Sequence, residues 1–196
     1  MSKLTAYDKF IQQALKYGFS LFGLPKTGQT ISYVTGDDGT YQKGYPATGA
    51  KFTDNGDGTI TDNATGLMWA KDGNGAGCNN GNGVAWPAAL TWAGGLNFAG
   101  HSDWRLPNVK ELMSIVDHDE SAPAVDTTFF PNTQSNYYWS STTFADYTGN
   151  AWFVYFYNGY VNNVNKDITY YVRAVRGGQR QETGCKLQVA SVKHGA

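Results

Sequence analysis

Charge is scarce in this chain. Asp, Glu, Lys and Arg make up 16% of its 196 residues, well under the usual quarter of a globular protein. The formal net charge is −1 and the isoelectric point lies near 6.3, so the basic footprint that nucleic acid or anionic lipid demands is missing, and both partner classes are excluded. Cysteine is nearly absent as well. Cys78 and Cys185 form no C-x-x-C or Cys…His spacing, which argues against a structural zinc site and leaves two readings, a disulfide or two thiols. No apolar run reaches membrane-spanning length, so no direct membrane insertion is expected. The first ten residues, Met-Ser-Lys-Leu-Thr-Ala-Tyr-Asp-Lys-Phe, carry charge where a signal peptide needs an apolar centre.

The chemistry of catalysis is thin too. His101, His118 and His194 are isolated, no H-E-x-x-H occurs, and Cys78, the cysteine in the glycine-rich loop, has no adjacent basic group to activate it. Asp117, His118, Asp119 and Glu120 cluster, and such a run after a helix reads as a solvated turn. An enzyme is not expected, and no cofactor is implied. The stretch from Phe52 to Asp62 resembles a calcium loop superficially, but placing Gly58 at the invariant glycine puts Thr53 and Ala64 where the motif needs Asp and Glu. A hairpin about Asn55-Gly56-Asp57-Gly58 with Ile60 inward is the better reading, its carboxylates suited to an incidental calcium ion at most.

What is abundant is aromatic and glycine residues: 15% aromatic, with 24 glycines. The length suits one domain with appendages. Residues 1–22 hold an amphipathic helix over 5–17, with Tyr7, Phe10, Ile11, Ala14 and Leu15 on one face, Thr5 and Asp8 as a capping-box-like start, and Gly18 to end it. Packing on its own domain is the favoured role of this helix, subunit contact in a homo-oligomer the other. Residues 23–51 read as an extended arm with little helix, and Leu67, Met68 and Trp69 as a short buried strand. Residues 72–83, rich in Gly and Asn, read as a flexible loop that matches no phosphate-binding pattern. Trp86, Ala89, Leu90, Ala93 and Leu96 repeat at helical spacing, and Asn108 with Glu111 marks the capping box of a second core helix carrying Leu112, Ile115 and Val116. From Tyr137 onward short strands alternate with turn residues. Helices first and an antiparallel sheet later make the fold α+β.

The most informative segment is Trp152 to Tyr171. Asn158-Gly159 between two alternating runs predicts a hairpin with a two-residue turn, which sets Tyr157 opposite Tyr160, Phe156 opposite Val161 and Tyr155 opposite Asn162. One face then carries Trp152, Val154, Phe156 and Val161 as core. The other carries Phe153, Tyr155, Tyr157, Tyr160 and Asn162, where Thr, Lys or Glu would be usual. Tyrosine brings large amphipathic area with few torsions to freeze, and asparagine adaptable hydrogen bonds, a pairing that suits a surface covered by a partner.

Several separate motifs carry a family likeness. Thr65-Gly-Leu-Met-Trp69, Gly100-His-Ser-Asp-Trp-Arg-Leu-Pro107, Lys110-Glu-Leu112, Tyr138-Trp-Ser-Ser141 and Tyr171-Val-Arg-Ala-Val-Arg176 together resemble the C-terminal domain of Legionella collagen-like proteins, over roughly residues 50–178. That resemblance implies a C-type lectin-like fold over 23–178 with two or three helices, followed by a tail at 179–196. It also implies a ligand-binding role, with a protein or cell-surface molecule as partner and display on a cell or phage surface, although no anchor is visible. Some proteins of this kind are the variable proteins of diversity-generating retroelements, whose adenine-directed errors convert asparagine codons. By that likeness the variable, ligand-binding positions are Tyr155, Tyr157, Asn158, Tyr160, Asn162, Asn163, Val164, Asn165, Asp167, Ile168 and Tyr170, over a scaffold of Trp139, Trp152, Phe156 and Arg173. Phe153 fits that scheme poorly and reads as a buried contact. The alternatives are a glycan-binding adhesin, disfavoured because Lys166 and Arg173 are the nearest cations, and a formylglycine-generating-enzyme-like oxidase, for which Cys78 and Cys185 lack a local pattern.

Overall fold

Turn chemistry sets the first hairpin. In the computed structural model, which describes residues 25–45 and 51–177, β1 (Phe52–Asp54) and β2 (Thr59–Asp62) pair antiparallel, with Asp54 opposite Ile60. Asp57 Oδ1 accepts from the Thr59 N–H at 3.0 Å and the Thr59 hydroxyl at 2.6 Å, while Asp54 Oδ2 accepts from Lys71 Nζ at 2.6 Å. The carboxylates that looked like cation ligands thus serve the turn and a lysine, and Ile60 is fully buried. β3 (Leu67–Ala70) joins β2, and β9 (Val175–Gly177) returns from the end of the domain to pair with β3. The result is a four-stranded sheet in the order β1-β2-β3-β9.

Before it, the arm over 25–45 contains the single-turn helix α1 (Asp38–Tyr41) and closes on itself where Pro25 bridges Tyr45. The helix expected over 5–17, the tail after 178 and Cys185 lie outside the described residues. Residues 72–83 are built rather than loose. A 3₁₀ turn over Ala76–Gly81 buries Cys78, and Asn79 and Asn80 adopt left-handed backbone at φ 52° and 53°, which asparagine tolerates better than most side chains.

α2 (Trp86–Gly94) follows the two-residue strand β4 (Val84–Ala85), and α3 (Val109–Ser114) carries the full capping box between Asn108 and Glu111. A second sheet joins β4 to β8 (Thr169–Tyr170), and a third runs β5 (Tyr137–Thr143), β6 (Asn150–Tyr155), β7 (Tyr160–Asn165). Short helices and small antiparallel sheets make the fold α+β.

The third sheet has core on both sides. Val154 and Tyr138 face a cluster with Ile60, Trp69, Leu112, Ile115 and Phe130. On the opposite side Ala151, Phe153 and Trp139 meet Ala89 and Ala93 of α2 together with Leu106 and Val172. Arg173, 1% exposed, pins the sheets together: its guanidinium donates to the carbonyls of Ala70 and Lys71 and to Thr133 Oγ1 at 2.6 Å, and lies 5.1 Å from the centre of the Phe130 ring.

Candidate binding face

The hairpin at Asn158-Gly159 exists, but its register is two residues from the one the dipeptide implies. Tyr155 pairs with Tyr160, Val154 with Val161, Phe153 with Asn162 and Trp152 with Asn163. The connection therefore has four residues, Phe156 to Gly159, closed by hydrogen bonds from the Asn158 and Gly159 N–H groups to Tyr155 O at 3.3 and 2.8 Å. A two-residue turn of this kind needs positive φ at both central positions. Here only Gly159, at φ 79°, has it. Phe156 leaves the ladder because its ring is worth more in the core: it is 1% exposed, its N–H donates to Asn136 O at 2.9 Å, and its carbonyl accepts from the Ala124 N–H at 2.7 Å.

Trp152 also departs from its expected place. It is partly buried and packs edge-on against Phe144, with ring centres 5.4 Å apart, away from the main clusters. Phe153, on the side first read as exposed, is buried edge-on under Tyr137 and Tyr170, at 5.1 and 5.2 Å. Trp139, Phe156 and Arg173 are fully buried.

A shift of two residues preserves which side chains share a face, so the tyrosines stay together. Tyr137 on β5, Tyr155 on β6 and Tyr160 on β7 form one cross-strand row. The next row inward is Trp139, Phe153 and Asn162. The rings of Tyr137 and Tyr155 stack at 4.2 Å, Tyr155 stacks with Tyr157 at 5.6 Å, and Tyr137 with Tyr170 at 4.8 Å; Tyr170 reaches Trp139 at 4.7 Å. The outcome is a continuous series of rings from the exposed Tyr157 to the buried Trp139. Offset aromatic pairs contribute about 0.5–1.5 kcal/mol each beyond their buried area. Partial burial, then the neighbouring Tyr137, raises the Tyr170 phenol above its ordinary value. Sequence reasoning missed Tyr137. Its signal was available, since it lies two residues before Trp139 and so on the same face of β5.

The polar members divide by what they already bond. Asn158 Oδ1 accepts from the Tyr160 N–H at 3.1 Å and Asn165 Oδ1 from the Asp167 N–H at 2.8 Å, so both shape turns. Asn162 donates to the Tyr160 hydroxyl, and Asn163 Oδ1 accepts from Asn150 Nδ2 at 2.8 Å on the other side of the sheet. Val164 packs on the Trp139 cluster, whereas Asp167 and Ile168 are exposed in the β7–β8 turn. Tyr157 and Tyr160 are 48% and 50% exposed and are the most exposed rings of the face.

The run Asp117 to Glu120 is a brace as well as a turn. Asp117 is buried, which raises its carboxyl above the usual range, and the His118 ring lies against Gly159. A Cβ on Gly159 would come within 2.7 Å of Val116 Cγ1 and 2.8 Å of His118 Cε1. The Ala122 N–H donates to Tyr157 O at 2.8 Å, so this segment holds the hairpin tip from below. Neither cation near the hairpin is free: Arg173 is buried, and Lys166 Nζ donates to Thr143 Oγ1 at 3.0 Å and Thr148 O at 2.8 Å while lying 4.1 Å from the Trp86 ring centre. Cys78 is buried and its thiol pushed up by desolvation, a poor start for thiol chemistry.

A family model described as the Lcl C-terminal domain matches residues 58–176, which takes in every strand from β2 to the middle of β9 and the whole tyrosine face. No curated protein matches the chain.

Proposed function

Because the chain belongs to the Lcl C-terminal domain family, the C-terminal domains of Legionella collagen-like proteins, we propose that it is a non-catalytic binding module whose contact surface is the tyrosine face of the β5-β6-β7 sheet. The observation that carries this reading is the cross-strand row of Tyr137, Tyr155 and Tyr160, extended by Tyr157 and Tyr170. Aromatic side chains already stacked on a rigid sheet lose little freedom when a partner covers them, and that favours affinity. The partner is a protein or cell-surface molecule with an apolar, hydrogen-bonding surface. A strongly sulfated glycan suits the face less well, because Lys166 and Arg173 are both committed within the fold.

The hairpin and the β7–β8 turn that carry this face are the part of the chain that a diversity-generating retroelement varies, with Asn163 and Asn165 of the set on the other side of the sheet. Supporting this, none of the eleven positions from Tyr155 to Tyr170 named above is buried, whereas of the scaffold residues Trp139, Phe156 and Arg173 are and Trp152 is partly buried. Substitution at the first set changes contacts without the cavity cost of core replacement. Two experiments test the reading. Alanine at Tyr157 and Tyr160 together weakens binding of a verified ligand by about 30-fold, the roughly 2 kcal/mol of an interface hot spot; unchanged affinity sinks the face as the contact surface. Neighbouring DNA is expected to carry a reverse-transcriptase gene and a near-copy of codons 139–176 that differs chiefly at adenines, and a near-copy without that bias removes diversification while leaving the binding proposal standing.

A further inference from the structure

Lys51 and Asp62 are buried where charge is costly. Their exposures are 1% and 0%; Lys51 stands immediately before β1, and Asp62 ends β2 opposite Phe52. Lys51 Nζ lies 3.8 Å from Asp62 Oδ2, beyond hydrogen-bond distance, and donates to the Ser114 carbonyl at the end of α3. Asp62 Oδ1 accepts from the Ala64 and Thr65 N–H groups at 2.9 and 3.2 Å, whereas Oδ2 is buried with no hydrogen-bond partner. A buried ion pair offsets its desolvation only when hydrogen bonds satisfy the remaining lone pairs and protons. This pair leaves one carboxylate oxygen bare.

We propose that Lys51 and Asp62 condense to an intramolecular amide, with Nζ bonding to Cγ and Oδ2 leaving as water. The balance is internal. Of the three protons on the Lys51 ammonium, one stays on the amide nitrogen and two depart with Oδ2, so ammonium and carboxylate give a neutral amide and one water without a co-reactant. Burial, the largest influence on Lys51, holds its amine below the ordinary 10.5 and favours the neutral nucleophile. The two N–H groups on Oδ1 stand where negative charge develops as the amine adds to Cγ. The Phe52 ring, 4.9 Å from Nζ, and the burial of both groups keep out the water that reverses the reaction. Among the described residues Asp62 is the carboxylate within ion-pair distance of Lys51; Asp117, whose charge also reaches it, has Oδ1 on the Asp119 N–H at 3.0 Å. The product replaces two buried charges by one neutral group. It ties the base of the β1–β2 hairpin shut in a domain whose described cysteine, Cys78, is unpaired.

Mass spectrometry of the full chain, denatured and digested with trypsin, tests this. The expected result is a peptide from Gly44 to Lys71, uncleaved at Lys51, lighter than its sequence by one water and yielding no backbone fragments between Lys51 and Asp62. Lys51→Arg keeps the positive charge but its guanidinium stays protonated and does not attack, so that protein is expected to be cleaved after residue 51 and to have its full mass. The parent's peptide map is decisive whether or not the variant folds: cleavage after Lys51 at full mass overturns the proposal. So does a water loss that persists in the Lys51→Arg protein, which assigns it to a cyclic imide at Asp57-Gly58, or a cross-link that joins Lys51 to Asp117.

Discussion

Tyr137 and Tyr155 lie ring on ring, 4.2 Å apart and 22° from parallel, although they belong to different strands and only Tyr155 sits in the hairpin. Tyr137 also stacks with Tyr170 and meets the edge of Phe153. Together with Phe153, which also meets Tyr170, it joins the hairpin to β8 in one surface.

Removing it therefore affects stability and binding together. Tyr137→Ala is expected to cost about 2 kcal/mol in urea unfolding, since two stacked pairs and part of the Phe153 contact are lost. Tyr157→Ala, at a half-exposed ring, loses only its stack on Tyr155 and costs about 0.5–1 kcal/mol, so its larger effect is on binding. Equal stability losses in the two variants would contradict the series of rings as described.

Gly159 is required twice over, by its φ of 79° and by the crowding of Val116 and His118. Gly56 has a φ of 77° with nothing within 4 Å of where a Cβ would stand. Comparing the two isolates the crowding. Gly56→Ala should lower stability by about 1 kcal/mol, the backbone cost alone. Gly159→Ala should lose about 1–3 kcal/mol more, the usual range for overpacking. Urea midpoints for both proteins give the difference directly.

Arg173 satisfies two carbonyls and a hydroxyl from two separate segments, Ala70-Lys71 and Thr133. Arg173→Ala strands those acceptors and opens a cavity, with an expected loss of about 3 kcal/mol or more by thermal or urea unfolding. Arg173→Lys is not a rescue, because an ammonium cannot reproduce the planar fork that reaches Ala70, Lys71 and Thr133 at once.

Two carboxylates act on acid stability with opposite sign. Asp72 Oδ1 accepts from Asn132 Nδ2 and from the Asn74 N–H, each at 2.9 Å, and the Asn132 bond chiefly lowers its pKa below the ordinary 3.8. Its stabilisation is present above that ordinary value and is lost as pH falls through the lowered one. Asp117 is raised by burial, so its charged form is unfavourable at neutral pH, and protonation relieves the strain as pH falls from its raised value toward 3.8. Asp72→Asn should therefore lower stability at pH 7 and converge with the parent in acid, and Asp117→Asn should narrow the parent's advantage at pH 7 or reverse it. Unfolding curves from pH 7 down to pH 3 distinguish the two.

Much of the fold was legible because local signals agreed with one another. The Asn108–Glu111 capping box, the Gly56–Gly58 turn and the helical spacing from Trp86 to Ala93 each fix a local geometry that tertiary contacts keep. The hairpin register was not legible, since Asn158-Gly159 specifies a turn but carries no information about Phe156, whose burial with Asn136 and Ala124 draws it out of the ladder. Trp152 left its expected core place for a related reason, while Phe153 is the buried contact it was read as. Alternation says which residues share a face, and here both faces of the sheet meet core, so it could not say which neighbour would be buried. Tyr137 was overlooked because its partners come from β6 and β8, contacts that no short window contains.

The row of Tyr137, Tyr155 and Tyr160 takes one ring from each strand of a three-stranded sheet. Such a surface exists only while both ladders are paired, so the unfolded chain has no counterpart to it. Any molecule that binds there shifts the folding equilibrium by mass action, about 2.7 kcal/mol at a free concentration one hundred times its dissociation constant. The melting temperature of the domain therefore serves as an assay for an unidentified partner, and a shift that disappears in the Tyr157→Ala/Tyr160→Ala protein locates that partner on the row.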